Sequence, residues 1–142
     1  MTTPCPCPCG RTSANLVRPA KTKTNLQPLP LSACCGPYLN ENIPAPDAEA
    51  LMRSRYSAFV LERADYLLVT WHVATRPVAL DFAPGAQWLG LEVRSHRVRD
   101  ADHAEVEFVA RLREAGRATR LHECSRFARE SGCWFYVDGD PF

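Results

Sequence analysis

Two short cysteine pairs carry the sharpest chemistry in the sequence: Cys7-Pro8-Cys9-Gly10 and Cys34-Cys35-Gly36. Four thiolates brought together suit a tetrahedral, closed Zn²⁺ site with Zn–S distances of about 2.3 Å. Four sulfurs leave no position for a reacting water, so the expected role of Cys7, Cys9, Cys34 and Cys35 is structural. Binding would release thiol protons and supply folding free energy to a segment without a core of its own. The glycine after each pair permits the tight backbone turns that chelating loops need. A redox role, another metal or incidental thiols are the competing readings, and a Cys34–Cys35 disulfide would close a strained ring. Cys5 repeats the pattern as Cys5-Pro6-Cys7 and is a candidate substitute for Cys7.

A second group sits on a predicted strand, where Leu121, Glu123, Ser125 and Phe127 share one face. If the apolar pair faces a helical layer, Glu123 and Ser125 face it too, and a covered carboxylate needs a partner. Arg53 and Arg55, at either edge of the apolar stripe of a preceding helix, are the candidates. Such a pair either fixes helix on sheet or lines a pocket between them. Arg53, Arg55, Tyr56, Trp71, His72, Glu123 and Ser125 make up the candidate pocket. His72 reads first as a cation at a helix C-terminus and second as an acid–base group. Trp134, Tyr136 and Asp138 are expected on one face of the last strand, opposite Phe135 and Val137, where they either cover the sheet, the commoner case, or close a pocket. Cys124 and Cys133 fall out of register across the Ser131-Gly132 turn and read as small sheet residues. No Gly-rich phosphate loop or serine nucleophile motif occurs.

Positioning these groups requires two kinds of chain. From Thr2 to Pro46 there is no hydrophobic period, and Pro, Thr, Lys and Asn dominate the middle, which predicts a loop-like arm over residues 1–46. At Asp47 the pattern changes. Asp47 can cap a helix and Glu49 adds a carboxylate to its first turn. The predicted helix runs from about Ala48 to Glu62, with Met52, Tyr56, Phe59 and Val60 on one face. A second, from about Ala64 to His72, gathers Ala64, Leu67, Leu68 and Trp71. Beyond Pro77 the period becomes two, from near Trp88 to Val137, broken by turn signals at residues 100–102, 115–116 and 131–132. One strand alternates Ala104, Val106, Phe108, Ala110 and Leu112 against Glu105, Glu107, Arg111 and Arg113, giving one buried and one wet face. Helices ahead of a four-stranded meander predict an α+β domain over residues 47–142.

Composition sharpens the division. The chain has 142 residues, enough for one domain and an appendage, with 7 Cys and 12 Pro. Five of those cysteines and 7 of the prolines lie in the first 40 residues. That segment carries Arg11, Arg18, Lys21 and Lys23 without an acid, so the formal net charge of +1 conceals a basic arm and an acidic domain. Four cations on a loop make a weak basic surface, which argues against nucleic-acid binding. No signal-peptide core or membrane-length apolar run is present, so the expectation is a soluble cytoplasmic protein with no membrane role. Clustered cysteines in that reducing compartment favour metal over disulfides.

Several blocks resemble a known family: Cys-Pro-Cys-Gly, Cys-Cys-Gly-Pro-Tyr (Cys34 to Tyr38), Leu-Met-Arg-Ser-Arg-Tyr-Ser-Ala-Phe-Val (Leu51 to Val60), Thr-Trp-His (Thr70 to His72), Ser-Arg-Phe (Ser125 to Phe127) and Trp-Phe-Tyr-Val-Asp-Gly (Trp134 to Gly139). With Ala-Asp-Tyr-Leu and Trp-Leu-Gly-Leu they look like the YchJ-like family of bacterial SEC-C motif proteins. The resemblance implies a nuclear-transport-factor-2-like (NTF2-like, cystatin-like) domain whose curved sheet and helices enclose a conical pocket. It also implies zinc on Cys7, Cys9, Cys34 and Cys35, here across a spacer from Gly10 to Ala33 that a flexible loop can close at modest entropic cost.

The function expected is a non-enzymatic zinc-binding module that recognises a protein partner or a small ligand through its pocket. The similar motif at the end of the secretion ATPase implies partner docking by analogy. The alternative is a small-molecule enzyme with Glu123 or His72 as general base and Arg55 as anion clamp.

Overall fold

The computed structural model describes residues 31–82 and 85–142. Three helices precede the sheet: α1 (Gly36–Asn40), α2 (Ala48–Val60) and α3 (Ala64–Val69). Four strands follow: β1 (Gln87–Asp100), β2 (His103–Glu114), β3 (Arg117–Glu130) and β4 (Cys133–Pro141). They form one antiparallel sheet in the order β1-β2-β3-β4. The expected α+β meander with helices on one face is the observed architecture.

Turn chemistry sets the register. Glu114 pairs with Arg117 and Glu130 with Cys133, leaving two-residue loops at Ala115-Gly116 and Ser131-Gly132. All four loop residues have positive φ, the backbone that joins tightly twisted strands without splaying them. Three irregularities along β1 and one in β4 break the strict two-residue period, and such bulges bend the strands.

Helix α2 begins where expected: the Asp47 carboxylate accepts a hydrogen bond from the Ala50 amide at 2.7 Å. It ends at Val60, two residues short of the expected Glu62, which adopts φ 56°. A single apolar stripe does not describe this helix, which is buried on two sides. Met52 and Tyr56 face the sheet, while Leu51, Ser54, Ser57 and Ala58 are also buried. The small polar Ser54 is satisfied internally, donating to Leu51 O and bonding the Tyr66 hydroxyl, both at 2.8 Å.

Residues 31–46 depart from the loop expectation. Leu31–Ala33 forms a 3₁₀ turn, α1 follows, and Cys34, Cys35, Leu39 and Ala45 join the same buried core as Leu51, Leu67, Val106 and Phe127. Gly36 makes this turn passable: a Cβ there would lie 2.6 Å from the Leu31 carbonyl oxygen. A short, non-periodic stretch can thus bury its few apolar groups without giving a readable pattern.

Helix α3 is also shorter than expected. It stops at Val69, and the Thr70 hydroxyl turns back to donate to Tyr66 O at 2.7 Å. Trp71 and His72 are therefore not helical. The chain there runs alongside β4: Tyr136 N donates to Thr70 O at 2.8 Å and His72 N to Tyr136 O at 2.7 Å, a parallel bridge between Trp71 and Tyr136. A long-range partner has overridden the local helical pattern.

Candidate functional site

The inner face of the sheet and α2 enclose a cavity of about 210 Å³. Its wall is mostly apolar and aromatic: Met52, Tyr56 and Phe59 from α2, Trp88 from β1, Phe108 and Ala110 from β2, Leu121 and Phe127 from β3. Arg55, Trp71, Glu123, Ser125 and Tyr136 supply the polar atoms. An outer groove of about 380 Å³ shares Phe59, Trp88 and Leu121 with this cavity and carries Glu62, Asp81, Glu114 and Arg120.

Arg55 is the unusual wall residue, a guanidinium only 5% exposed. Its Nη1 donates to Leu67 O at 2.8 Å and to Thr70 Oγ1 at 2.7 Å, so it ties α2 to the end of α3. The guanidinium carbon lies 5.1 Å from the Trp71 ring centre and 4.7 Å from that of Tyr136. Both distances allow cation–π attraction. Burial lowers its pKa to about 10, against the opposing influence of Tyr136, Tyr66 and Glu123. Among the described residues Arg55 forms no ion pair with a carboxylate. The expected Arg55–Glu123 bridge is absent, and both groups line one cavity.

Glu123 is held from its own sheet. Ser125 Oγ donates to Glu123 Oε2 at 2.5 Å, and the Tyr136 hydroxyl donates to the same oxygen at 3.4 Å. Ser125 pairs with Gly139 across the β3–β4 ladder, and a Cβ on Gly139 would overlap the Glu123 carboxylate. The glycine thus leaves room for the carboxylate to lie against β4. Burial, then the charge of Glu123, pushes the Tyr136 hydroxyl up to about 12.

Tyr136 reaches the cavity because of the β4 bulge. Phe127 pairs with Tyr136 but Arg126 pairs with Asp138, so Val137 is the extra residue. The expectation that Tyr136 and Asp138 share a face is corrected accordingly. Tyr136 turns inward, whereas Asp138 meets Arg126 at 2.6 Å on the other face.

Two of the proposed pocket residues lie elsewhere. Arg53 turns along α2 to Glu49, with Nε and Nη2 each 2.9 Å from Oε2, an i,i+4 ion pair. His72 bonds Glu130 at 2.6 Å through Nε2 and accepts from the Ala74 amide at Nδ1. It is not a cavity wall residue, so of the two candidate general bases Glu123 lies in the cavity and His72 does not. Arg55, Tyr56, Trp71, Glu123 and Ser125 are brought together. Tyr136, Thr70 and Gly139 complete the arrangement without having been singled out as site residues. The sequence marked Tyr136 as a residue of a face that could close a pocket, and Thr70 and Gly139 only by their places in the Thr-Trp-His and Trp-Phe-Tyr-Val-Asp-Gly blocks.

One donor in the wall has no partner among the described residues: the buried Nε1 of Trp71.

Of the proposed zinc ligands, Cys7 and Cys9, with the substitute Cys5, lie outside the described residues. Cys34 and Cys35 are both buried, with Sγ atoms 3.9 Å apart. That separation fits two corners of a tetrahedron, whose edge is about 3.8 Å for Zn–S arms of about 2.3 Å. No group of three or more potential ligands occurs among the described residues. Cys34, Cys35, Cys124 and Cys133 are not in disulfides, and Cys124 faces Asp140 rather than Cys133. No helix of the described residues is long and apolar enough to cross a membrane.

Comparison with known proteins agrees with this architecture. Residues 47–139 match the family described as YchJ, middle NTF2-like domain. The chain is 80% identical over 142 residues to a UPF0225 protein of Polaromonas naphthalenivorans, covering 100% of both chains. It is 56% identical to a UPF0225 protein of Methylibium petroleiphilum, covering 96% of this chain and 89% of the relative. A SEC-C motif containing protein from Psychrobacter arcticus has a similar crystal structure, with a TM-score of 0.73, 32% identity, and coverage of 95% of this chain and 80% of that one. The solution structure of a SEC-C motif containing protein from Rhodopseudomonas palustris gives a TM-score of 0.72 at 32% identity, covering 80% of this chain and 92% of that one.

Proposed function

The chain belongs to the UPF0225 family, with a YchJ-type NTF2-like domain over residues 47–139, and we propose that it is a cytoplasmic recognition module whose inter-layer cavity holds a small ligand. The observation that carries this reading is Arg55: a buried guanidinium, stacked on two aromatic rings and hydrogen-bonded to uncharged oxygens, in the wall of a mostly apolar chamber. A purely structural ion pair would bring Arg55 and Glu123 together; here they stay apart in a shared cavity. Binding without catalysis is favoured because the Glu123 carboxylate is held by the Ser125 and Tyr136 hydroxyls, while His72, the other candidate general base, is engaged by Glu130 away from the cavity wall.

The cavity test is a titration of the full-length chain with single-ring compounds, followed by the fluorescence of Trp71 and Trp88. Ala110→Leu fills the chamber from β2. Saturable binding that Ala110→Leu abolishes is the expected result; no saturable change, or one that survives the filled cavity, overturns the reading.

Beside the pocket, the cysteine arm is a structural zinc site in this proposal. Cys34 and Cys35 supply two sulfurs at a fitting separation, and Cys7 and Cys9 would supply the other two. Zinc would hold the two cysteine pairs together and takes no part in chemistry at the cavity. A protein partner docking on this arm is the corresponding adaptor role.

A further inference from the structure

The size and the polar atoms of the chamber narrow the chemistry of a ligand held there. Size comes first. A cavity of about 150 Å³ is enough for benzene, so about 210 Å³ accommodates one six-membered ring and a short polar group. Larger drug-like ligands occupy pockets of about 300 Å³ and above.

Donors are concentrated around Arg55. Both of its hydrogen bonds leave from Nη1, so Nε and Nη2 have no hydrogen bond to a described residue. The guanidinium stacks on Trp71, whose buried Nε1 is likewise without a partner among the described residues. Acceptors are concentrated in the Glu123 carboxylate, where Oε2 takes the Ser125 and Tyr136 hydroxyls. Oε1 has no hydrogen bond to a described residue. The chamber therefore offers unused donors and an unused acceptor.

Charge decides between ligand classes. Arg55 and Glu123 balance formally, so a ligand of net charge of either sign would enter a low-dielectric chamber without a counter-charge of its own, which is costly. A neutral ligand that accepts at one end and donates at the other leaves both wall groups satisfied. Resting on the reading of the cavity as a ligand site, we propose that it selects a neutral single-ring carboxamide or lactam, its carbonyl oxygen received by Arg55 and its N–H by Glu123.

Four ring compounds of nearly equal size test this by calorimetric titration of the full-length chain: benzamide, benzoate, benzylammonium and toluene. Benzamide is expected to bind about tenfold or more tighter than each of the others, the worth of one hydrogen bond to a charged group. Tightest binding by benzoate or by benzylammonium would overturn the neutral class, and toluene equal to benzamide would show that the polar atoms do not read the ligand. Those three outcomes leave the cavity reading intact. Failure of all four to bind overturns both. Glu123→Gln adds a second arm: it keeps the side chain's shape and an acceptor for Ser125 but leaves Arg55 unbalanced, so preference should move from benzamide to benzoate. An unchanged order in that variant overturns the assignment of Glu123. Circular dichroism establishes that the variant is folded, and if it is not, the wild-type panel still decides.

Discussion

The Arg55 guanidinium sits with its carbon 4.7 Å from the centre of the Tyr136 ring, joining the helical layer to β4 at the edge of the sheet. The same side chain bonds Leu67 O and Thr70 Oγ1, so its loss would leave Leu67 O with only a long 3.4 Å bond from the Thr70 hydroxyl and take two short hydrogen bonds from the cavity wall. Arg55→Met is expected to lower stability by about 2–4 kcal/mol. Urea denaturation of the purified variant checks this. Arg55→Lys should recover only part, because an ammonium keeps the charge but not the planar face that stacks on Trp71 and Tyr136.

Alkaline pH should weaken the fold. Burial pushes the Tyr66 hydroxyl up to about 12, and burial with the charge of Glu123 does the same to Tyr136, against an ordinary value of 10. Raised folded-state values mean that this contribution is complete below pH 10 and is lost as pH rises toward 12. Arg55, lowered to about 10, acts in the opposite sense over the same range, since the unfolded chain keeps that proton longer. Two groups outweigh one, and the urea midpoint should fall across this window. In Tyr136→Phe the fall should be visibly shallower; an equally steep fall would remove Tyr136 as a cause.

Gly139→Ala should be destabilising by about 1–2 kcal/mol, because the new methyl meets the Glu123 carboxylate. The cost has a specific signature. In a Glu123→Ala background the same substitution should be nearly neutral, so the double-mutant cycle should show a coupling of about 1 kcal/mol or more. Thermal unfolding of the four proteins supplies the measurement, and additive effects would disconnect the two residues.

Metal content tests the cysteine arm directly. One zinc per chain is the expected result for the purified protein, with loss of metal in both Cys7→Ser and Cys34→Ser. Full retention in either variant removes that cysteine from the ligand set. Because Cys34 is buried in the core, its variant also needs a circular dichroism spectrum, whereas Cys7→Ser reports on the ligand role separately.

Much of the sheet was legible because its determinants are local. The Ala115-Gly116 and Ser131-Gly132 turns announce themselves by residue type, and the alternation through Leu121, Glu123, Ser125 and Phe127 follows from strand geometry alone. The helix start at Asp47 was legible for the same reason. What escaped depended on distant partners. Nothing near Val137 signals that it is the extra residue separating Tyr136 from Asp138, and nothing within residues 64–72 tells that Trp71 will leave the helix to meet β4. Arg53 and Arg55 flank one stripe symmetrically; the docking of α3, which offers Leu67 O and Thr70, distinguishes the buried cation from the one paired with Glu49.

The bridge between Trp71 and Tyr136 has a consequence for association. Strand β4 ends the sheet, and an uncovered terminal strand is a template for pairing with another chain. Here the segment after α3 occupies that rim: Thr70 and His72 take the main-chain groups of Tyr136, and Thr75 Oγ1 donates to Val137 O at 2.6 Å. Thr70 is also the residue that receives Arg55. Guarding against strand-to-strand aggregation and building the chamber wall are therefore tasks of one stretch of backbone, and a substitution that loosens the chamber there would also unmask a sticky rim.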